Sequence, residues 1–483
     1  LISMIIGAEI RKNRSENSSL KAAGFYDDAL NFIGHATGYP TDSKNKPSGN
    51  QDLSTEVGFF ANANYMYNNR YYADFVYRLS GSSKFGSNQR YGQFWSGGLG
   101  WNLHNENFLK FEKLNLLKIR GSVGYTGKVN FEPFQSITMY KYENTLEYLH
   151  GLGAIPQTIG NDDLKWEREF SYNIGADISL FDRRLNATLD FYLKRTKDLV
   201  LDASIAPSTG VVSGKQNIGE MENKGFEFSV DGFIIQRNDV WWQLGMNGST
   251  NKNRILKISN ALKRQNELNN DVAPTRQTPA PLAQYEEGES TSALKVVRSA
   301  GIDPATGREV FIKLDGTRTF TYSADDKVVV GDTDPRFYGN VYTNVFYKGF
   351  SLYIMGSFKC GGYLYNVTRA SRVEGTTGRT NVDRRAFDSR WKEVGDIALY
   401  RKITEHSVPQ QTDRFVEKEN VLTITSVNLG YEFPQRICQK MMLRNLRLGV
   451  NLSDILRFSN VKVERGLDYL YGNGFEFTLS TTF

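Results

Sequence analysis

Two cysteines in 483 residues cannot staple a chain of this size, and four histidines scattered as His35, His104, His150 and His406 offer no metal-ligand spacing. There is no HExxH, GxSxG or Walker-type glycine loop, so no catalytic residue, metal site or cofactor is expected and the chain does not read as an enzyme. No stretch approaches the ~20 consecutive apolar residues of a membrane helix, so a bilayer could be crossed only by strands. Charge of one sign is not concentrated either. The 59 Lys and Arg are interspersed with 53 Asp and Glu, for a formal charge of +6, which argues against a nucleic-acid surface. Low-complexity tracts and linker-like shifts in composition are missing, and the chain reads as one continuous meander.

What the chain has is aromatic residues, 26 Tyr and 30 Phe, placed in strict alternation. Phe475, Phe477, Leu479, Thr481 and Phe483 interleave with Glu476, Thr478, Ser480 and Thr482 at the carboxy-terminus. Successive side chains of a strand point to opposite faces, so this is a ribbon apolar on one side and polar on the other. Leu185, Ala187, Leu189, Phe191 and Leu193 repeat the pattern against Asn186, Thr188, Asp190, Tyr192 and Lys194. Phe170 to Leu180, Leu117 to Tyr125, Phe226 to Val230, Phe350 to Ile354 and Leu446 to Leu452 do the same. About fourteen such segments, each near the ~10 residues of a tilted membrane strand, predict an all-β, antiparallel transmembrane barrel closed by the strand Phe475, Phe477, Leu479 and Phe483.

The connections sort by parity. Short turns are expected at Asn68 to Arg70, Phe181 to Arg184, Gln236 to Asp239, Tyr347 to Gly349 and Pro434 to Lys440, and long loops at about 14–53, 127–168, 254–335 and 361–421. Outer-membrane barrels have short periplasmic turns and longer outside loops. The longer connection His104 to Lys113 falls on the short side and suggests a brief helix. Tyr71, Tyr72, Trp241, Trp242 and Phe433 lie beside the short turns, where amphipathic rings would form a membrane-interface girdle. This topology puts Cys360 and Cys438 at opposite ends of the wall, too far apart for a disulfide.

Several stretches carry a family resemblance. "LKWEREFSYNIGADISLFDRRLNATLDFYLKRTKDLVL" from Leu164, "QNIGEMENKGFEFSV" from Gln216, "VGDTDPRFYGNVYTNVFYKGFSLYIMGSF" from Val330 and "YRLSGSSKFGSNQRYGQFWSGGLGW" from Tyr77 resemble the barrel of SusC/RagA-type TonB-dependent transporters of Bacteroidota. The resemblance implies an outer-membrane importer of glycans, peptides or related oligomers. It also implies a SusD-like surface lipoprotein as lid and a TonB complex acting through a plug. A complete barrel of this kind has about 22 strands, so residues 1–483 are expected to be its C-terminal portion, about 14 strands without the plug.

Asp190, Lys194 and Glu227, with Asp177 and Asp231, are the lumen candidates, and Tyr140, Tyr142, Tyr148 and Trp166 are the loop aromatics that would stack on an oligomeric substrate. The competing readings are structural pairing of the lumen charges, a barrel fragment kept as a surface scaffold without transport, and a soluble β-sandwich. The last leaves the loop parity and the aromatic clusters unexplained.

Overall fold

The computed structural model describes all residues except 39–47, 149–150, 206, 212, 274–278, 377–381, 464–471 and 483, and the side chains of 30, 143–148, 151–152, 204, 207 and 261 are likewise outside the description. Fourteen antiparallel strands form one sheet, each paired with its neighbours in chain order. They are β1 (Ile2–Ser19), β2 (Ser48–Tyr67), β3 (Tyr71–Ser82), β4 (Tyr91–Asn102), β5 (Leu114–Lys128), β6 (Glu167–Leu180) and β7 (Leu185–Lys197). The second half comprises β8 (Glu220–Arg237), β9 (Val240–Lys257), β10 (Phe337–Tyr347), β11 (Phe350–Tyr365), β12 (Val416–Glu432), β13 (Asn445–Ser459) and β14 (Gly474–Thr482).

Register fixes which side chains share a face. Ile174 lies opposite Phe191, and Phe191 opposite Phe226; Leu479 lies opposite Leu448 and Phe477 opposite Val450. Each apolar row therefore runs across neighbouring strands on the lipid side, and large side chains such as Ile174, Phe191, Phe475, Phe477 and Leu479 are exposed there. Phe483, expected to close this row, lies outside the described residues.

The turns follow from local chemistry. Asn68 and Asn69 sit at φ 48° and 54°, and Lys348 and Gly349 at φ 46° and 93°, the left-handed pair that a two-residue hairpin requires and that Asn and Gly adopt at low cost. Between β4 and β5 a single 3-10 turn, Leu103–Asn105, occupies the expected brief helix. Between β12 and β13 a short helix, Gln435–Lys440, buries Cys438. Cys360 stands near the outer end of β11, and both thiols are free.

The strands overrun the loop bounds expected from hydropathy. β1 pairs with β2 as far as Ser19 opposite Ser48, and β11 with β12 as far as Tyr365 opposite Val416. The intervals 14–53 and 361–421 thus shrink to 20–47 and 366–415. Similarly, β5 runs to Lys128, β6 starts at Glu167 and β9 ends at Lys257. The alternation of apolar residues marks contact with lipid, whereas backbone pairing continues beyond it.

Candidate functional site

The face opposite the lipid rows is a wall of mutually bonded polar side chains. Arg120 on β5 donates through Nε to Asp177 on β6 at 3.2 Å and through Nη2 to Asp190 on β7 at 2.6 Å. Gly175 makes room for this crossing: a Cβ there would stand 2.6 Å from Asp190 Oδ1 and 2.8 Å from Arg120 Cζ. Asn186 and Gln243 both donate to Asp231, at 3.2 and 3.3 Å, and Tyr192 donates to Asn251 at 3.1 Å. Glu227 lies opposite Asp190 in the β7–β8 ladder, and the Lys194 ammonium rests 5.2 Å from the Tyr192 ring. The register therefore brings Asp177, Asp190, Lys194, Glu227 and Asp231 to one surface. Among the described residues, Lys194 and Glu227 have no ion-pair partner, so they offer opposite charges to whatever occupies the interior.

The loop aromatics divide. Tyr140 and Tyr142, two residues apart on the strand Met139–Tyr148, are exposed on a hairpin paired with Gly151–Thr158. Tyr148 pairs with Gly151 in that hairpin, but its side chain is outside the description. Trp166 is half-buried. Its ring packs 4.3 Å from Phe85 and 5.3 Å from Phe94, its Nε1 donates to the carbonyl of Arg90 at 3.2 Å, and it covers the buried cluster Phe85, Phe131, Leu164 and Val200. Phe85 takes up one face of the ring, which packs the loop against the wall.

Each adjacent pair of expected girdle aromatics is split by the alternation. Tyr71 stacks on Trp101 at 6.2 Å on the lipid side, and both donate to Glu106, at 2.9 and 3.0 Å. Tyr72 instead accepts from Asn102 at 3.0 Å under the Lys118 ammonium, on the interior face. Trp242 donates to Thr343 at 2.9 Å on the lipid side, while Trp241 stacks on Phe346 at 5.9 Å inside. Phe433 packs edge-on against Tyr431, which packs against Phe350 on the lipid side. The girdle expectation is corrected for Tyr72 and Trp241: neighbours along a strand cannot share a face.

Two long loops fold into a joint cap, which sequence reasoning missed. The connection 258–336 contains a helix, α1 (Asn260–Val272), whose first turn is capped by Ser259 accepting from the Leu262 amide, and a four-stranded sheet built on Ala293–Ile302. Connection 366–415 contributes the buried cluster Ala370, Val373, Ala386, Tyr400 and Phe415. Arg414 joins the two, bonding Glu309 of the first loop and Glu374 of the second, and Arg401 bonds Glu374 at 2.7 Å. Burial opposes the Arg414 charge, but the two carboxylates outweigh it and raise the guanidinium above its ordinary value. No local pattern announces these contacts, because each acid and base looks like an ordinary loop charge until the chain has folded.

The geometry of a two-faced strand wall with folded outer loops matches a known architecture. Residues 14–451 match the family model described as TonB dependent receptor-like, beta-barrel. The chain belongs to this family. TonB-dependent receptor P3 of Formosa agariphila is 27% identical over 485 residues, covering 95% of this chain and 46% of that protein. TonB-dependent receptor SusC of Bacteroides thetaiotaomicron is 35% identical over 214 residues, covering 43% of this chain and 21% of its own length. In fold, the chain superposes on a structure of the RagAB peptide transporter with a TM-score of 0.80 at 23% identity, covering 95% of this chain and 50% of that one. As part of a TonB-dependent receptor barrel, the chain belongs in the outer membrane, which it crosses with its strands. It spans about half the length of the relatives it matches most fully. These relatives are receptors and transporters by name, not enzymes.

Proposed function

We propose that the chain forms wall and outer loops of a TonB-dependent nutrient importer, taking up a glycan, oligosaccharide or peptide oligomer. The observation that carries this reading is the continuous polar interior face, whose structural ion pairs leave Lys194 and Glu227 available, beneath outer loops folded into a cap. β1 and β14 are the two edges of the sheet, and open edges are untenable in lipid. In this reading further strands complete the wall and a plug meets the TonB complex.

In this reading Asp190 orders the wall through Arg120, Lys194 and Glu227 contact polar cargo, and Tyr140 and Tyr142 meet it outside. SusC and RagAB are similar proteins, and RagAB is described as a peptide transporter. A SusD-like lipoprotein lid is the partner proposed here. Exposed apolar side chains on the 366–415 loop support that partner: Phe387, Val394, Ile397 and Leu399 are all exposed, Ile397 at 97%, in a loop that water should otherwise keep polar.

Uptake of isotopically labelled oligosaccharide and oligopeptide pools by cells carrying or lacking the full-length protein tests the reading. One pool should depend on the protein and on a functional TonB complex. Unchanged uptake of both, with the barrel correctly inserted, would favour the scaffold alternative.

A further inference from the structure

The interior face is not uniform around the sheet. Strands β5 to β8 carry charges on it, among them Arg120, Asp177, Asp190, Glu227 and Asp231. On the next two strands the register admits none. From Gln243 to Asn253 on β9 and from Tyr338 to Phe346 on β10, each interior side chain is a carboxamide, a hydroxyl, an aromatic ring or a glycine hydrogen. Strand β11 continues this surface from Ser351 to Ser357, with Tyr353 opposite Asn344 and Met355 opposite Tyr342, before Lys359 ends it.

Part of this neutral surface is tied to itself. Asn223 on β8 accepts from Asn251 at 3.3 Å and from Asn253 at 2.8 Å, and the Asn340 carboxamide donates to Asn247 at 3.2 Å. The tyrosines are arranged differently. Gly245 lies opposite Tyr342, and a Cβ there would stand 2.5 Å from Tyr342 Oη, so this ring lies along the wall across β9. Tyr353 follows with its ring centre 6.1 Å away and tilted by 33°, and Tyr338, four residues nearer the outer end of β10, is exposed. Among the described residues, no hydrogen bond engages the side chains of Tyr338, Tyr342 or Asn344. From Tyr338 to Asn344, the level of Tyr353, the strand runs roughly 20 Å, most of the ~25 Å apolar band.

We infer that the interior face of β9 to β11 is a track for an uncharged oligosaccharide, with sugar rings passing over Tyr338, Tyr342 and Tyr353 and their hydroxyls bonding to Asn344 and the phenols. The inference rests on the import reading above and narrows its cargo. Carboxamides and phenols both donate and accept, as a sugar hydroxyl does, and an aromatic ring suits the apolar face of a sugar. A carboxylate on the cargo would give up water here and meet Glu227 opposite Ser249 and Asp231 opposite Gly245, with a cation only at Lys359 opposite Tyr338. A neutral glycan therefore fits this wall better than an acidic one, and better than a peptide, whose C-terminus carries that same charge.

The test uses cells carrying the full-length protein, offered three isotopically labelled pools in parallel: neutral oligosaccharides, uronate-containing oligosaccharides and oligopeptides. Protein-dependent uptake should be confined to the neutral pool. Tyr342→Ala with Tyr353→Ala should raise the half-saturating concentration of that pool about tenfold. Tyr342→Phe with Tyr353→Phe keeps both rings and should stay close to wild type, while heat-modifiable migration on gels verifies that each barrel is folded. Uptake of the acidic or peptide pool in place of the neutral one would overturn the track and leave the import reading standing, as would wild-type half-saturation in the folded double alanine variant. Protein-dependent uptake of no pool would remove both.

Discussion

Arg414 grips Glu309 through two hydrogen bonds of 2.8 Å, although 105 residues separate them. The same guanidinium reaches Glu374 at 2.8 Å, so one side chain ties the 258–336 and 366–415 loops together. Thr412 adds a donor to Glu309 at 2.8 Å, and Arg401 a second cation to Glu374. Glu309 and Glu374 are almost fully buried, and removing one member of such a set leaves charges without compensation at a cost of about 3–5 kcal/mol. Arg414→Met should therefore loosen the contact between the two loops while leaving the strand wall intact. Hydrogen exchange is expected to accelerate together over 309–312 and 369–374 and to stay unchanged in β5 to β8. Unchanged exchange in both loops would mean that the cap is held by its other cross-bonds, such as the Ser299 amide to Asp413 and the Lys402 amide to the Gly307 carbonyl.

A second clasp closes the rim on the other side. Asp198, just beyond β7, accepts from Arg168 at 2.6 Å and pairs with Lys165 at 3.0 Å. Burial alone would raise its carboxyl, but the bonds from Arg168 and Lys165 hold it below the ordinary carboxylate range. A carboxylate depressed in the folded state contributes stability above its unfolded pKa of about 3.9 and loses it as pH falls through the lower folded value. Protease nicking of the 198–219 loop should thus rise as pH drops below about 4, and Asp198→Asn should be nicked readily at neutral pH with little further change on acidification. A variant as resistant as wild type would remove the clasp from the account.

The lid surface gives a third expectation. Ile397→Asp places a charge at the most exposed of the loop's apolar side chains, outside the buried cluster Ala370, Val373, Ala386, Tyr400 and Phe415. Co-purification of a surface lipoprotein with the full-length protein should fall at least about tenfold, as truncation or charging at the centre of an apolar contact does. Retention at wild-type level would move the lid elsewhere on the cap.

Much of the wall was legible because lipid and water impose opposite demands on alternate residues. The run Leu185 to Lys194 announces its own faces, and Asn68–Asn69 and Lys348–Gly349 announce their turns. Three things were not legible. Strand ends such as Ser19 and Tyr365 lie beyond the lipid-facing rows, where pairing continues without an alternating apolar signature. Adjacent aromatics such as Trp241 and Trp242 look alike in sequence, although the period of two sends them to opposite faces. Trp166 reads as a displayed loop ring until Phe85, 81 positions earlier, is seen to cover it. The cap is least legible of all, because Glu309, Glu374 and Arg414 are brought together only by tertiary structure.

The most direct test of the two-faced wall is cysteine accessibility along β7 in the full-length protein, with Cys360 and Cys438 replaced by Ser. Single cysteines at Asp190, Lys194, Leu189 and Phe191 would be offered a membrane-impermeant maleimide and a lipid-soluble one. Positions 190 and 194 should react with the impermeant reagent from the aqueous interior, and positions 189 and 191 only with the lipid-soluble one. Equal reaction of all four with the impermeant reagent in intact cells would contradict a membrane wall with a polar passage on one side.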